Sequence, residues 1–171
     1  MPSPAPTGRE VDYDSMEVLV SKTDARGVIT YANEIFVKVC KYPEDELLGR
    51  PHSIVRHPDM PRCVFKLLWD TIMQGEEIFA YVKNLCADGD HYWVFAHVTP
   101  DVDPVTGEIV GYHSSRRRPR PEAVAAIEPL YAQLLEIEGG DKRSGMQRGT
   151  QALLKILGEA GVTYEQFVFS I

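Results

Sequence analysis

The segment that most constrains the fold runs from Arg50 to Trp69, because three prolines interrupt it. A proline has no amide hydrogen and restricts the residue before it, so one continuous helix cannot run through this segment. Arg56, His57 and Asp59 are therefore expected in short turns or at the start of a helix. Backbone amides and a permanent cation would there face one cavity, which suits an anionic ligand such as a phosphate or an electron-rich ring.

Turn residues and hydrophobic patterning predict the order of the other elements. Gly27 suits a hairpin turn between the first two strands, and Asn33 can cap the helix that follows. A further helix is predicted over 62–74. The predicted strands cover residues 19–24, 28–31, 78–86, 91–99 and 108–116. Two strands, several short helices and three strands predict an α+β fold, with one five-stranded antiparallel sheet, short helices on one face and C-terminal helices.

The chain is expected to divide into three parts. Residues 1–17 are predicted to be a disordered start and an N-terminal cap, 18–118 the α+β domain, and 119–171 a helical extension. The last residues, Phe167–Ile171, are apolar, and an apolar terminus implies docking, either on its own domain or on a partner.

Composition excludes several classes of function. The net charge of −7 argues against nucleic acid or an anionic membrane as a partner. No apolar run approaches the roughly 20 residues of a membrane helix, and the N-terminus does not have the pattern of a secretory signal. The three cysteines are odd in number and far apart, so we expect no disulfide framework, no metal site and a cytoplasmic setting. Common catalytic motifs are missing, so we do not expect an enzyme.

Five segments together resemble a known family. The chain is similar to PAS domains, and specifically to the FAD-binding aerotaxis-receptor type, over about residues 18–118 and into the following PEAVAAIEPLY. The string PHSIVRHPDMP is the most specific of them. The other matching segments are TDARGVITYANEIF, KYPEDELLGR, VKNLCADGDHYWV and GEIVGYHSSR.

This resemblance implies which residues contact the FAD. By matching position they are Asn33, Arg56, His57, Asp59 and Asn84. From the residues alone, the Arg-His-x-Asp group could equally form an ion pair and cap a helix. The chain departs from the family pattern before the third strand, where Gly-Glu-Glu-Ile replaces Gly-Glu-Pro-Trp and removes an aromatic side chain.

The resemblance also implies a function. We expect a stand-alone cytoplasmic sensor or adaptor that detects redox or oxygen status through FAD and contacts a separate signalling protein, such as a histidine kinase or a chemotaxis component. The alternatives are a ligand-free PAS interaction module and a haem-based gas sensor that uses His52 or His113.

Alternation along the fourth strand separates two surfaces. Val94, Ala96 and Val98 point to one face and, by the resemblance, line the ligand cavity. Trp93 and Phe95 point to the other face, where the N-terminal segment or a partner subunit must cover them, and we expect a homodimer. The basic run 116–118 that follows the last strand is interpreted as a solvated hinge.

Overall fold

The computed structural model describes residues 3–171, and this part of the chain contains five strands and six α-helices. The strands are β1 (Leu19–Asp24), β2 (Ile29–Ala32), β3 (Ile78–Leu85), β4 (His91–Val102) and β5 (Ile109–Arg117). The helices are α1 (Glu34–Cys40), α2 (Glu44–Leu47), α3 (Arg62–Ile72), α4 (Pro121–Glu138), α5 (Lys142–Ala160) and α6 (Tyr164–Ser170), and a 3-10 helix covers His52–Val55.

The five strands form one antiparallel sheet in the order β2-β1-β5-β4-β3. The predicted fold class is confirmed, including the C-terminal helices. We call the face that packs against α3 the inner face and the opposite one the outer face. The short helix α6 was not predicted; it begins with a complete capping box between Thr163 and Gln166.

The N-terminal segment lies beside the start of β4. Residues 1 and 2 lie outside the described part of the chain. The Val11 amide donates to the His91 carbonyl, and the His91 amide donates to the Arg9 carbonyl. β5 pairs with β4 only from Phe95 onward. The segment therefore pairs with the edge of β4 that β5 leaves open, in place of the disordered start and cap that were predicted.

The C-terminal helices cover the outer face of the sheet. Trp93 is only 4% exposed, and its ring lies 6.2 Å from that of Tyr131 on α4. Phe95 lies 6.0 Å from Phe169 on α6. The Tyr131 hydroxyl donates to the Tyr81 carbonyl at 2.6 Å. The cover that we expected from the N-terminal segment or a partner comes from α4 and α6, so the apolar C-terminus docks on its own domain.

A buried carboxylate joins the C-terminal extension to α3. Glu138, the last residue of α4, is 1% exposed, and its two oxygens accept hydrogen bonds from the amides of Arg62 (2.9 Å) and Cys63 (2.7 Å). Pro61 precedes α3 and offers no side-chain cap. Because the first amides of a helix have no partner within it, Glu138 supplies the cap from another helix.

Two glycines of α5 allow this close approach. A Cβ atom at Gly145 would lie 2.1 Å from the Glu138 carbonyl oxygen, and one at Gly149 would lie 2.7 Å from the Glu138 side chain. The glycines are four residues apart and therefore share one face of the helix. Any larger residue at either position must push α5 away from α4 and α3.

We expect Gly145→Ala to destabilise the protein, because the new methyl group collides with backbone. The control is Gly158→Ala on the same helix, where a Cβ would meet nothing within 4 Å. Helix propensity alone should make that control up to about 1 kcal/mol more stable than the wild type. Urea unfolding measures both, and equal stabilities of the two variants would contradict the packing described here.

Candidate functional site

A cavity of about 790 Å³ lies between the inner face of the sheet and α3. Small aliphatic side chains of β3 and β4 form its floor. They are Val82, Val94, Ala96 and Val98. The alternation predicted from the sequence is thus confirmed for β4. Such a floor leaves room for a flat ring.

α3 contributes two aromatic rings to the lining, Phe65 and Trp69. The Trp69 ring also packs edge-on against Tyr112 at 5.4 Å. It lies so close to the first hairpin that a Cβ atom at Gly27, which has a φ of +80°, would be 2.9 Å from it. The cavity therefore has aromatic walls, although Ile78 stands where the family resemblance implied a tryptophan.

Three polar side chains meet at the sheet side of the cavity. The Arg116 guanidinium donates to the Ser21 hydroxyl at 2.7 Å, and its Nη1 lies 3.4 Å from Nε2 of His52. The Ser21 hydroxyl is 2.9 Å from the same Nε2. Burial, and then the charge of Arg116, lower the pKa of His52 to about 3. The imidazole is therefore neutral near pH 7, and Nε2 accepts both contacts.

The Arg116 cation has no counter-charge. Its residue is 2% exposed, its guanidinium lies 4.2 Å from the centre of the Phe36 ring, and its Nε has no hydrogen-bond partner. No carboxylate of residues 3–171 lies within ion-pair distance of it. Burial lowers its pKa. A buried charge without a partner is costly, so the arrangement favours a ligand that brings acceptor atoms or negative charge.

The interpretation of Arg116 as part of a solvated hinge is therefore wrong. The signal was present in the alternation of β5, because Tyr112, Ser114 and Arg116 share one face and all line the cavity.

Two of the residues implied by the resemblance line the cavity together. Arg56 and Asn84 form an isolated antiparallel bridge, and both belong to the lining. The Arg56 guanidinium lies 4.1 Å from the centre of the Phe65 ring. Asn84 is 4% exposed, and within residues 3–171 its amide side chain makes no hydrogen bond. Arg56 and Asn84 thus present polar groups to a ligand.

Asn33 lies outside the cavity lining, contrary to the implied role. Its Oδ1 accepts from the amides of Val20 and Phe36, both at 3.0 Å, and its Nδ2 donates to the Val18 carbonyl at 2.8 Å. These bonds cap α1 and fix it to β1. Because they use both acceptor positions of Oδ1 and one N–H of Nδ2, Asn33 acts as a structural residue here.

His57 and Asp59 also lie outside the cavity lining. Nδ1 of His57 accepts from the Asp59 amide at 3.1 Å, and the Asp59 carboxylate accepts from Lys83 at 2.8 Å. Although partial burial raises the pKa of Asp59, Lys83 lowers it more, so the carboxylate stays ionised. Lys83 also lies 3.8 Å from Glu128 of α4. These residues connect the proline-rich segment to β3 and α4.

Stability is expected to fall as the pH drops from 7 to 4.5. Burial, followed by the charge of Lys83, lowers the pKa of His57 to about 4. The unfolded chain, with a histidine pKa near 6.5, therefore binds more protons than the native state between about pH 4 and 6.5, and stability rises with pH there.

The variant His57→Asn keeps an acceptor near Nδ1 but cannot take up a proton. Its unfolding free energy should depend less steeply on pH in this range than that of the wild type. Urea unfolding at several pH values tests this, with His113→Asn as a control for the loss of a histidine elsewhere. An unchanged slope in His57→Asn would show that His57 is not responsible.

Within residues 3–171, no three His, Cys, Asp or Glu side chains come together in a way that could hold a metal ion. Of the two histidines considered as haem ligands, His52 lines the cavity and His113 does not. None of the helices in residues 3–171 combines the length and the apolar character needed to span a membrane.

Comparison with known proteins identifies relatives. A family model described as the PAS fold matches residues 29–116. The aerotaxis receptor of Escherichia coli (strain K12) is 48% identical over 116 residues, which cover 68% of this chain and 22% of the receptor. A nitrogen fixation regulatory protein of Klebsiella pneumoniae is 31% identical over 104 residues, which cover 61% of this chain and 21% of that protein.

A solved structure is also similar to this chain. The light-state structure of the blue-light photoreceptor Aureochrome1 LOV matches with a TM-score of 0.56 and 25% identity, over 67% of this chain and 88% of that chain. The aligned part of the chain spans only about a fifth of the length of each of these two relatives.

Proposed function

The chain belongs to the PAS family, and from that premise we propose that it is a redox sensor that binds FAD in the cavity between the sheet and α3. The observation that carries the proposal is the buried, unpaired cation of Arg116. The 48% identity to an aerotaxis receptor supports the proposed signal, redox or oxygen status.

The residues present fit a flavin. The cavity volume lies in the range typical of cofactor sites. Aliphatic strands and the rings of Phe65 and Trp69 would enclose a flat ring system. The free amide of Asn84 can both donate and accept hydrogen bonds, which suits a ring edge that carries both kinds of group. A bound flavin would supply reversible electron transfer, and reduction without full proton uptake would make its ring more negative.

Two other ligand states fit less well. A haem would need a free imidazole nitrogen, but Nε2 of His52 is engaged by Ser21 and lies beside a cation. A ligand-free module would leave the buried Nε of Arg116 without a hydrogen-bond partner. Both observations favour the flavin.

The output of the sensor is proposed to pass through the C-terminal extension. The cavity residue Arg56 lies a few positions before α3, whose first amides are capped by Glu138 of α4. Lys83 of β3 provides a second connection, since it contacts both Asp59 and Glu128. A change in the cavity can thereby shift α4 and the surface that the extension presents.

The proposed recipient is a separate signalling protein in the cytoplasm, such as a histidine kinase or a chemotaxis component, with the chain acting as sensor or adaptor. A homodimer remains a prediction. Because α4 covers Trp93 and α6 contacts Phe95, a dimer that used this face would first have to displace both helices.

The purified protein should carry substoichiometric flavin, with absorption bands that grow when FAD is added. Arg116→Met keeps the length of the side chain but removes its charge. We expect this variant to lower the midpoint potential of the bound flavin by about 50–100 mV, the one-electron equivalent of roughly 1–2 kcal/mol of lost charge stabilisation.

Two variants control this measurement. Arg116→Lys retains the charge and should keep most of the potential. Arg26→Met removes an exposed cation at the cavity rim that is already paired with Asp24, so it should change the potential little. A colourless protein that does not quench the fluorescence of added FAD would overturn the proposal, and an unchanged potential in Arg116→Met would remove Arg116 from it.

Hydrogen exchange should differ between the oxidised and reduced forms of the FAD-loaded protein. We expect the differences in residues 82–98, whose alternate side chains contact the cavity and the outer face, and in the C-terminal extension. A ligand shifts a conformational equilibrium only by its differential affinity for the two states. Identical exchange in both forms would mean that redox state is not the signal.

A further inference from the structure

The cavity lining is cationic in a chain whose net charge is −7. Asp70 is the single acidic residue of the lining, against seven basic ones. The basic residues are Arg26, Arg56, Arg62, Lys66, Arg116, Lys142 and Arg143. This reversal of the overall charge indicates a ligand with more than one negative group.

Three of these cations already have carboxylate partners. Arg26 pairs with Asp24, Arg62 with Glu138 and Lys66 with Asp70. The other four have no carboxylate within ion-pair distance among residues 3–171. They form two zones. In the inner zone, Arg116 lies on the sheet side of the cavity and Arg56 lies beside Phe65. In the rim zone, Lys142 and Arg143 are exposed on the first turn of α5.

The rim zone belongs to the C-terminal extension. α5 begins after the region 29–116 that the family model matches. Its position is nevertheless fixed, because Gly145 lies directly against the Glu138 carbonyl and the next residue, Met146, lines the cavity. The Asp141 carboxylate beside it is engaged by Ser144, both by its amide and by its hydroxyl. These contacts hold the first turn of α5, and with it the backbone of Lys142 and Arg143, at the rim of the cavity.

We propose that α5 supplies the diphosphate subsite of the cofactor, with Lys142 and Arg143 holding the phosphates of a flavin dinucleotide whose ring occupies the end near Arg116. This inference rests on the proposed function. It identifies the part of the chain that would select a dinucleotide over a flavin without phosphates. Phosphate oxygens accept strong, charge-assisted hydrogen bonds from Lys and Arg. A flavin without phosphates would use only the inner zone.

The placement has a consequence for signalling. The helix that would hold the phosphates also presses its glycines on Glu138, which caps α3. Binding of the dinucleotide should therefore favour the docked position of the extension, by linkage. Riboflavin, which lacks phosphates, should fill the ring site without this effect.

The test compares FAD and riboflavin as ligands, with affinities measured by quenching of flavin fluorescence. The double variant Lys142→Gln/Arg143→Gln should bind FAD about 10- to 100-fold more weakly than the wild type, the scale of two lost charge-assisted contacts. Its affinity for riboflavin should not change. Inorganic pyrophosphate should compete with FAD on the wild type and not with riboflavin.

A matched control removes the same charge elsewhere. Lys155 lies on α5, is 76% exposed and pairs with Glu159, and Arg117 is exposed at the end of β5. Lys155→Gln/Arg117→Gln should leave both affinities unchanged. Equal FAD affinity in the rim double variant and the wild type would overturn the subsite while the flavin function stands. Failure of the wild type to bind either flavin would overturn both.

Discussion

The cap that Glu138 places on α3 connects the two halves of the molecule. α3 forms one wall of the cavity, and its first two amides are satisfied by a carboxylate that comes from the last residue of α4. The proline-rich segment cannot provide this cap itself, because Pro61 has neither a suitable side chain nor an amide hydrogen. The geometry of the cavity therefore depends on a helix that lies outside the family core.

The extension is consequently integrated with the PAS fold by its packing on α3 and on the sheet. Its helices bury Trp93 on the outer face and cap α3, which packs on the inner face, so they contact the sheet directly on one side and through α3 on the other. A movement of the sheet or of α3 must be accommodated at these contacts, since packed interfaces change between discrete arrangements rather than deform continuously. A change in the cavity would therefore reach the extension through these contacts, as proposed for the output.

Local patterns were sufficient to predict most of the fold. Alternation in β4 placed Val94, Ala96 and Val98 in the cavity, and Asn33 was correctly identified as a helix cap. The prediction for Arg116 failed because three consecutive arginines obscured the alternation that continues from Tyr112. The cap by Glu138 had no local signal, since it joins residues 75 and 76 positions apart. The spacing of Gly145 and Gly149 is a local signal of a close helix contact, but the sequence-based prediction did not use it.

Arg116 would give an anionic ligand an energetic role in the fold. Without an anion, the buried guanidinium is stabilised only by the Phe36 ring and by neutral partners such as Ser21. A ligand that supplies negative charge removes part of the desolvation cost, so occupancy and stability are linked. For the proposed flavin, this contribution would change with the charge of the ring on reduction. The same cation that favours binding would then make the free energy of the folded protein depend on the redox state of the proposed flavin.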